Sequence, residues 1–103
     1  MWLKDAQGRY LIVNDAFVKA CGQASANELV GKNDFDIWPS DLAQLYCDDD
    51  DRVMQSGITK NIEEPVEIDG NRIWFETYKS PILLDGKVMG TVEIGRASCR
   101  ERV

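Results

Sequence analysis

The chain has 103 residues, the length of one small domain, and its net charge of −6 opposes binding to nucleic acids and anionic lipids. It contains no histidine, which excludes Ser-His and Cys-His nucleophiles, His-ligated zinc and His-ligated haem. No apolar run is long enough to cross a bilayer. The composition therefore predicts a single globular domain without membrane contact, and it excludes many classes of enzyme.

The three cysteines are Cys21, Cys47 and Cys99, which are far apart and form no C-x-x-C pair. This number and spacing of cysteines indicate reduced thiols and a cytoplasmic location, and Cys21 and Cys47 are expected to be buried packing residues. The acidic run 48–51 is predicted to lie on a helix, where consecutive side chains point about 100° apart and cannot converge on one ion. We therefore expect a solvated helix face there and no metal site.

The first half of the chain alternates short β and helical patterns. Residues 2–4 and 9–13 predict a hairpin around a turn at Gly8. Asn14 is a candidate N-cap for a short helix that Gly22 ends. Further on, Ser25 and Glu28 have the spacing of a capping box. A tight, mostly helical connector is therefore expected after the hairpin.

The second half begins with the longest predicted helix, 41–56, which follows Pro39 and ends at Gly57. Asp-Gly pairs at 69–70 and 85–86 are typical of hairpin turns. Strands are predicted over 61–68, 72–83 and 87–94. The order β-β-α-α-α-β-β-β predicts an α+β fold, an antiparallel sheet with helices on one face.

Several short motifs occur in a characteristic order and spacing along residues 1–93. They are Trp2-Leu3-Lys4-Asp5, Gly8-Arg9-Tyr10-Leu11, Val30-Gly31-Lys32, Trp74-Phe75-Glu76-Thr77 and Gly86-Lys87-Val88. Together they resemble PAS domains of bacterial sensory proteins. The resemblance implies a five-stranded antiparallel sheet with helices packed on one face.

PAS domains of this kind usually precede histidine kinase, diguanylate cyclase or related output domains, and the chain carries no output motif. The resemblance thus implies a sensor, itself no enzyme, that relays a ligand or a change of state to an output domain outside this chain. A ligand-free dimerisation or relay module is the alternative. A third hypothesis is an enzyme that uses Asp34, Asp36 or Glu76 as general acid or base.

The last ten residues depart from the usual end of the family. Residues 94–103 resemble the translation of a common sequencing adapter. We therefore expect a PAS domain over 1–93 and a non-native tail over 94–103, and the tail receives no functional role.

Ligands of PAS domains lie between the inner sheet face and the central helices. The resemblance therefore implies pocket candidates at Asp34, Phe35, Asp36, Trp38, Leu42, Tyr46, Phe75, Thr77 and Lys79. Asp34 occupies the position of the photoactive cysteine in flavin-binding relatives, so a cysteinyl-flavin adduct is not expected. The sequence identifies no cofactor, and we expect a colourless protein.

Alternation along the strand 72–83 places Phe75, Thr77 and Lys79 on one face and Trp74 and Tyr78 on the other. Comparison with relatives favours the first set as inward. Lys79 then needs a carboxylate partner, either Asp36 with no ligand bound or an anionic ligand. Trp74 and Tyr78 on the outer face predict weak homodimerisation.

Overall fold

The computed structural model describes residues 1–97 and confirms the predicted α+β architecture. Five antiparallel strands lie in the order β2-β1-β5-β4-β3, with the helices on one face. The strands are β1 (Trp2–Asp5), β2 (Tyr10–Val13), β3 (Lys60–Ile68), β4 (Asn71–Leu84) and β5 (Lys87–Ala97). The helices are α1 (Asp15–Ala20), α2 (Asp34–Ile37) and α3 (Ser40–Ser56), with a 3-10 turn at Ala26–Glu28.

Side-chain caps begin α1 and α2, and only the first of them was predicted. Asn14 accepts a hydrogen bond of 3.0 Å from the Phe17 amide at the start of α1, as predicted. Ser25 makes no capping bond, so the predicted capping box there is wrong. The capping box lies instead at α2, where Asn33 and Asp36 exchange backbone-to-side-chain hydrogen bonds.

The two Asp-Gly pairs make tight turns that fix the register of β3, β4 and β5. Asp69 and Asp85 have φ of 52° and 51°, and both glycines that follow also have positive φ. Two successive positive φ values are typical of type I′ hairpins. Strand β5 continues beyond the predicted end at residue 94 to Ala97, opposite Phe75. The rest of the predicted tail, 98–103, lies outside the described residues.

The apolar core lies at one end of the domain, between the β1–β2 hairpin and α1. It contains Trp2, Tyr10, Phe17, Val18 and Leu29, with the rings of Trp2 and Phe17 stacked at 4.3 Å. Within residues 1–97, no helix has both the length and the apolar character needed to cross a membrane. The inner sheet face beyond this core is covered by α3 and contains charged side chains instead.

Candidate functional site

A small cavity of about 30 Å³ lies between the inner sheet face and the helices. A volume of this size accommodates roughly one or two water molecules. The aromatic part of its wall consists of Trp2, Tyr10, Phe17, Trp38, Tyr46 and Phe75. The charged part consists of Lys4, Asp34, Glu64, Lys79 and Glu93. The cavity thus combines an apolar wall with an ionised one.

Lys4 on β1 is the first centre of the charged wall, with a side chain only 2% exposed. Its Nζ lies 2.6 Å from Asp34 Oδ2 and 2.7 Å from Asp50 Oδ2. Glu93 Oε2 is 3.9 Å away. A buried ammonium is tolerated only when it is paired and hydrogen-bonded, and these carboxylates satisfy that condition.

Lys79 on β4 is the second centre, with a side chain 1% exposed. Its Nζ donates to Asp50 Oδ1 at 2.9 Å and to Glu64 Oε2 at 2.8 Å, and Glu93 Oε1 lies 3.4 Å away. Asp50 therefore joins the two lysines, one through each carboxylate oxygen. We call Lys4, Asp34, Asp50, Glu64, Lys79 and Glu93 the buried ion network.

Strand alternation and one glycine bring the network together. Lys4, Glu64, Lys79 and Glu93 come from four strands, each at a position that points to the inner face. At Gly90, a Cβ atom would lie 1.9 Å from the Lys4 carbonyl oxygen. Only glycine permits this approach of β5 to β1, and the approach sets the pairing that brings Glu93 near Lys4.

The lysines remain charged despite their burial. Desolvation alone would lower the pKa of Lys4, but Glu93, Asp50 and Asp34 outweigh it and raise that pKa above its usual range. The pKa of Lys79 is raised in the same way, because the attraction of Glu93, Asp50 and Glu64 exceeds the cost of burial. Both side chains are thus ammonium ions at physiological pH.

The carboxyl groups divide into two kinds. Burial would raise the pKa of Asp50, but its two lysine partners lower that pKa below the usual value. Burial dominates at Glu64, whose pKa is raised to about 7 although Lys79 opposes the shift. Burial also raises the pKa of Glu93. Asp50 is therefore a fixed charge, whereas Glu64 changes its proton occupancy near neutral pH.

Hydrogen bonds from neutral side chains complete the site. The Tyr10 hydroxyl donates to Asp34 Oδ1, and Trp38 Nε1 donates to the Tyr10 oxygen at 3.4 Å. Thr91 Oγ1 donates to Glu93 Oε2 at 2.8 Å. No buried side-chain nitrogen or oxygen within residues 1–97 lacks a hydrogen-bond partner. The site is therefore internally satisfied and rigidly arranged.

Six of the nine predicted pocket residues line the cavity: Asp34, Trp38, Tyr46, Phe75, Thr77 and Lys79. Leu42 is buried elsewhere in the core, and Phe35 is 49% exposed. Asp36 is exposed at the start of α2, where it forms the cap. The predicted Lys79–Asp36 ion pair is therefore wrong, because Lys79 pairs with Asp50, Glu64 and Glu93.

Four members of the network were not predicted: Lys4, Asp50, Glu64 and Glu93. The expectation that 48–51 faces solvent is wrong for Asp49 and Asp50, which are buried. Period-two alternation along β1, β3 and β5 could have placed Lys4, Glu64 and Glu93 on one face of their own strands. Nothing in the acidic run distinguishes Asp50 from its neighbours, because only the packing of α3 on the sheet selects it.

The outer sheet face carries the two predicted dimer residues. Trp74 is half-buried and Tyr78 is 43% exposed. Glu76 lies on the same face and accepts hydrogen bonds from Asn61 and Arg96. Glu76 is thus separated by the sheet from Asp34, and these carboxylates do not form one acid-base site.

The cysteines and metal-binding groups give no second site. Cys21 and Cys47 are half-buried and unpaired, and burial raises the pKa of Cys21 to about 12, which suppresses its reactivity. Among residues 1–97, no group of His, Cys, Asp and Glu has a geometry that could hold a metal ion.

Comparison with known families gives a match to the PAS fold over residues 2–100. A curated relative, the uncharacterized protein y4lL of Sinorhizobium fredii, is 32% identical over 95% of the chain. The chain spans 12% of the length of that relative.

Solved structures show the same fold. VqmA of Vibrio cholerae, described in complex with a ligand and DNA, has a TM-score of 0.84 at 23% identity, covering 93% of this chain and 44% of that one. The PAS domain of Bordetella pertussis BvgS has a TM-score of 0.65 at 17% identity, covering 96% and 73%. A domain of an HTR-like protein from Haloarcula marismortui has a TM-score of 0.71 at 16% identity, covering 93% of each chain.

Proposed function

We propose a ligand-sensing role for this chain, which belongs to the PAS fold family. In this proposal the domain detects a small molecule in its internal cavity and relays the bound state to an output domain on another segment of a bacterial signalling protein. The cavity itself carries the proposal, because it lies between sheet and helices and is bordered by charges from both layers.

The buried ion network supplies a means of relay. It ties α2 through Asp34 and α3 through Asp50 to strands β1 and β4, which contribute the two lysines. A ligand that enters the cavity alters the balance among these ion pairs, since a low-dielectric interior leaves them weakly screened. The change would move the helices relative to the sheet, and β5 passes it along the chain.

The test is whether a small molecule accompanies the folded protein. Native mass spectrometry of protein purified from a bacterial host should show a bound compound that acid releases. Hydrogen exchange in α2 and α3 should slow when that compound is added back. If no compound is found and no metabolite changes the exchange, the ligand-sensing proposal fails.

The output domain is proposed from the family. Histidine kinases and diguanylate cyclases are the outputs that PAS modules of this type usually precede, as in two-component signalling. VqmA, described as a DNA-binding LuxR-type receptor, is an example of a third type of output on the same fold. Sequencing the natural gene downstream of this segment would decide among the three.

The alternative is a PAS module without a ligand that acts by dimerisation and relay. The small cavity volume and the internally satisfied charges favour it.

In both cases we propose a weak homodimer through the outer sheet face. A symmetric pair would cover Ile12 and Tyr78, which are exposed, and Trp74, which is half-buried.

A further inference from the structure

The charge of a ligand is constrained by the lysines of the site, which already have their partners. Lys4 contacts Asp34 and Asp50, and Lys79 contacts Asp50 and Glu64, all within 2.9 Å. An anionic ligand would have to displace one of these carboxylates into a dry interior, which leaves that carboxylate without a counter-charge. The expectation that Lys79 binds a carboxylate ligand is therefore disfavoured.

The carboxyl groups around the cavity outnumber the ammonium groups. The network holds two ammonium groups and four carboxyl groups, so its ionised form carries two negative charges in excess. Buried excess charge must be neutralised, either by protons on the carboxyl groups or by a cation. Burial raises the pKa of Glu64 to about 7 and also raises the pKa of Glu93, so these two carboxyl groups hold a proton more readily than Asp50 does.

The aromatic wall is suited to a cation as well. Lys4 Nζ already lies 5.1 Å from the Tyr10 ring centroid, and Lys79 Nζ lies 5.9 Å from that of Tyr46. Ammonium groups within about 6 Å of a ring face are stabilised by its quadrupole. The remaining rings of the wall are those of Trp2, Phe17, Trp38 and Phe75, of which Trp2 and Phe17 are stacked on each other at 4.3 Å.

A second, more open groove reaches the network from outside. It encloses about 170 Å³, and its walls include Asp5, Asp50 and Asp51. No Lys or Arg is among the described residues that line it. Asp50 belongs to the network and Thr91 donates to Glu93, so this groove leads from the surface to the network. Two of its carboxylates are already paired, Asp5 with Arg9 at 2.9 Å and Asp50 with the two lysines.

We propose that the ligand of this cavity is a small organic cation, a primary ammonium compound that offsets the excess of carboxyl groups around it. This inference rests on the proposed ligand-sensing function and adds the chemical class. The closed cavity of about 30 Å³ has room for roughly one or two water molecules, so a ligand of three heavy atoms requires the cavity to widen. A longer amine must extend past the aromatic wall.

Proton exchange gives the site a distinctive pH dependence. The charged and titratable groups around Glu64 and Glu93 are Lys4, Tyr10, Asp34, Tyr46, Asp49, Asp50 and Lys79. Of these, the lysines stay charged and Asp50 stays ionised through neutral pH, as their shifted pKa values require. The cation therefore binds more tightly as the pH rises through 7, where Glu64 loses its proton.

The experiment compares three probes of equal heavy-atom count: ethylammonium, ethanol and formate. Isothermal titration at pH 8 and low salt should show saturable binding of ethylammonium, with a Kd of about 1 mM for so small a ligand. Ethanol and formate should not bind. Titration at pH 7 in two buffers of different ionisation enthalpy should show proton release on binding, and affinity should fall at least tenfold at pH 5.5.

Substitutions of the two glutamates test whether ethylammonium binds in this cavity. Glu93→Gln and Glu64→Gln should each weaken ethylammonium binding at least tenfold and reduce proton release, whereas Glu28→Gln, at an exposed position with the same charge change, should alter neither. Circular dichroism checks that each variant is folded. If one charge variant does not fold, the other and the wild-type proton release still decide the proposal.

The possible outcomes distinguish a failure of the cation proposal from a failure of the ligand-sensing proposal. Saturable binding of formate or ethanol, without ethylammonium, would overturn the cation and leave the sensing proposal standing. Binding of ethylammonium without proton release, or unchanged in both Gln variants, would place the cation outside this cavity and also overturn the inference. Absence of any binding, together with no compound in native mass spectrometry, would remove both proposals.

Discussion

The two faces of the sheet reverse the usual distribution of polarity. The inner face buries Lys4, Glu64, Lys79 and Glu93 under α3. The outer face exposes Ile12, Tyr78 and Ile94 by 43% to 57%. Apolar groups are normally the buried ones, so the charged inner face depends on ion pairing, whereas the outer face leaves apolar side chains exposed. The difference shows that electrostatic satisfaction, as well as apolar area, holds the helices on this sheet.

The largest effect is expected from breaking the inner network at Lys79. Lys79→Met removes the partner of Asp50 and Glu64 and should cost about 3 to 5 kcal/mol of unfolding free energy, because buried carboxylates lose their counter-charge. Urea unfolding at pH 7 measures the loss. Lys87→Met, at an exposed position, is the matched control and should change stability by about 0.5 kcal/mol or less. Equal costs would show that the network adds little to stability.

The aromatic residues on opposite faces of β4 allow a comparison of cavity formation. Phe75→Ala enlarges the internal cavity and should cost about 3 kcal/mol, whereas Trp74→Ala on the outer face should cost less. Denaturant titration of both variants measures the difference. A reversed order would mean that the outer face contributes more packing than the inner one.

The pKa of Glu64 makes the inner face sensitive to pH. The folded protein keeps the Glu64 proton up to about pH 7, while the unfolded chain loses it near the ordinary value of 4.5. The folded state therefore binds more protons over this interval, and stability from this group falls as pH rises from 4.5 to 7, by on the order of 3 kcal/mol at most. The raised pKa of Glu93 acts in the same direction.

Urea unfolding at pH 5 and pH 8 measures this dependence. Glu64→Gln should reduce the difference in stability between the two pH values, and Glu28→Gln should leave it unchanged. Asp50 adds nothing within the interval, because its lowered pKa confines its contribution to more acidic conditions. A wild-type stability that rises between pH 5 and pH 8 would contradict the assignment.

A substitution on the outer face is expected to have the smallest effect. It should change self-association and leave folding unchanged. Sedimentation should show a dimer of about micromolar affinity, which Ile12→Glu abolishes without unfolding the domain. Ile58→Glu is the control, since Ile58 is similarly exposed, at 60% against 55% for Ile12, but lies in the α3–β3 turn. A wild type that stays monomeric at high concentration would leave this face to another partner.

The sequence by itself determined the elements and the two faces of the long strands. Asp-Gly pairs specify hairpin turns locally, and alternation around Lys79 separates inward from outward residues by the geometry of the strand alone. The family and its fold followed from motif order. These features depend on interactions between neighbours in the chain, which a sequence displays directly.

Only the tertiary structure decided which charges meet. Asp50 is one of four consecutive aspartates, and its role depends on the rotation of α3 against β1 and β4, which brings it to Lys4 and Lys79. The same packing leaves Phe35 exposed and separates Asp36 from Lys79. Ion pairs between residues 29 to 46 positions apart are set by long-range packing, and local sequence patterns contain no information on that packing.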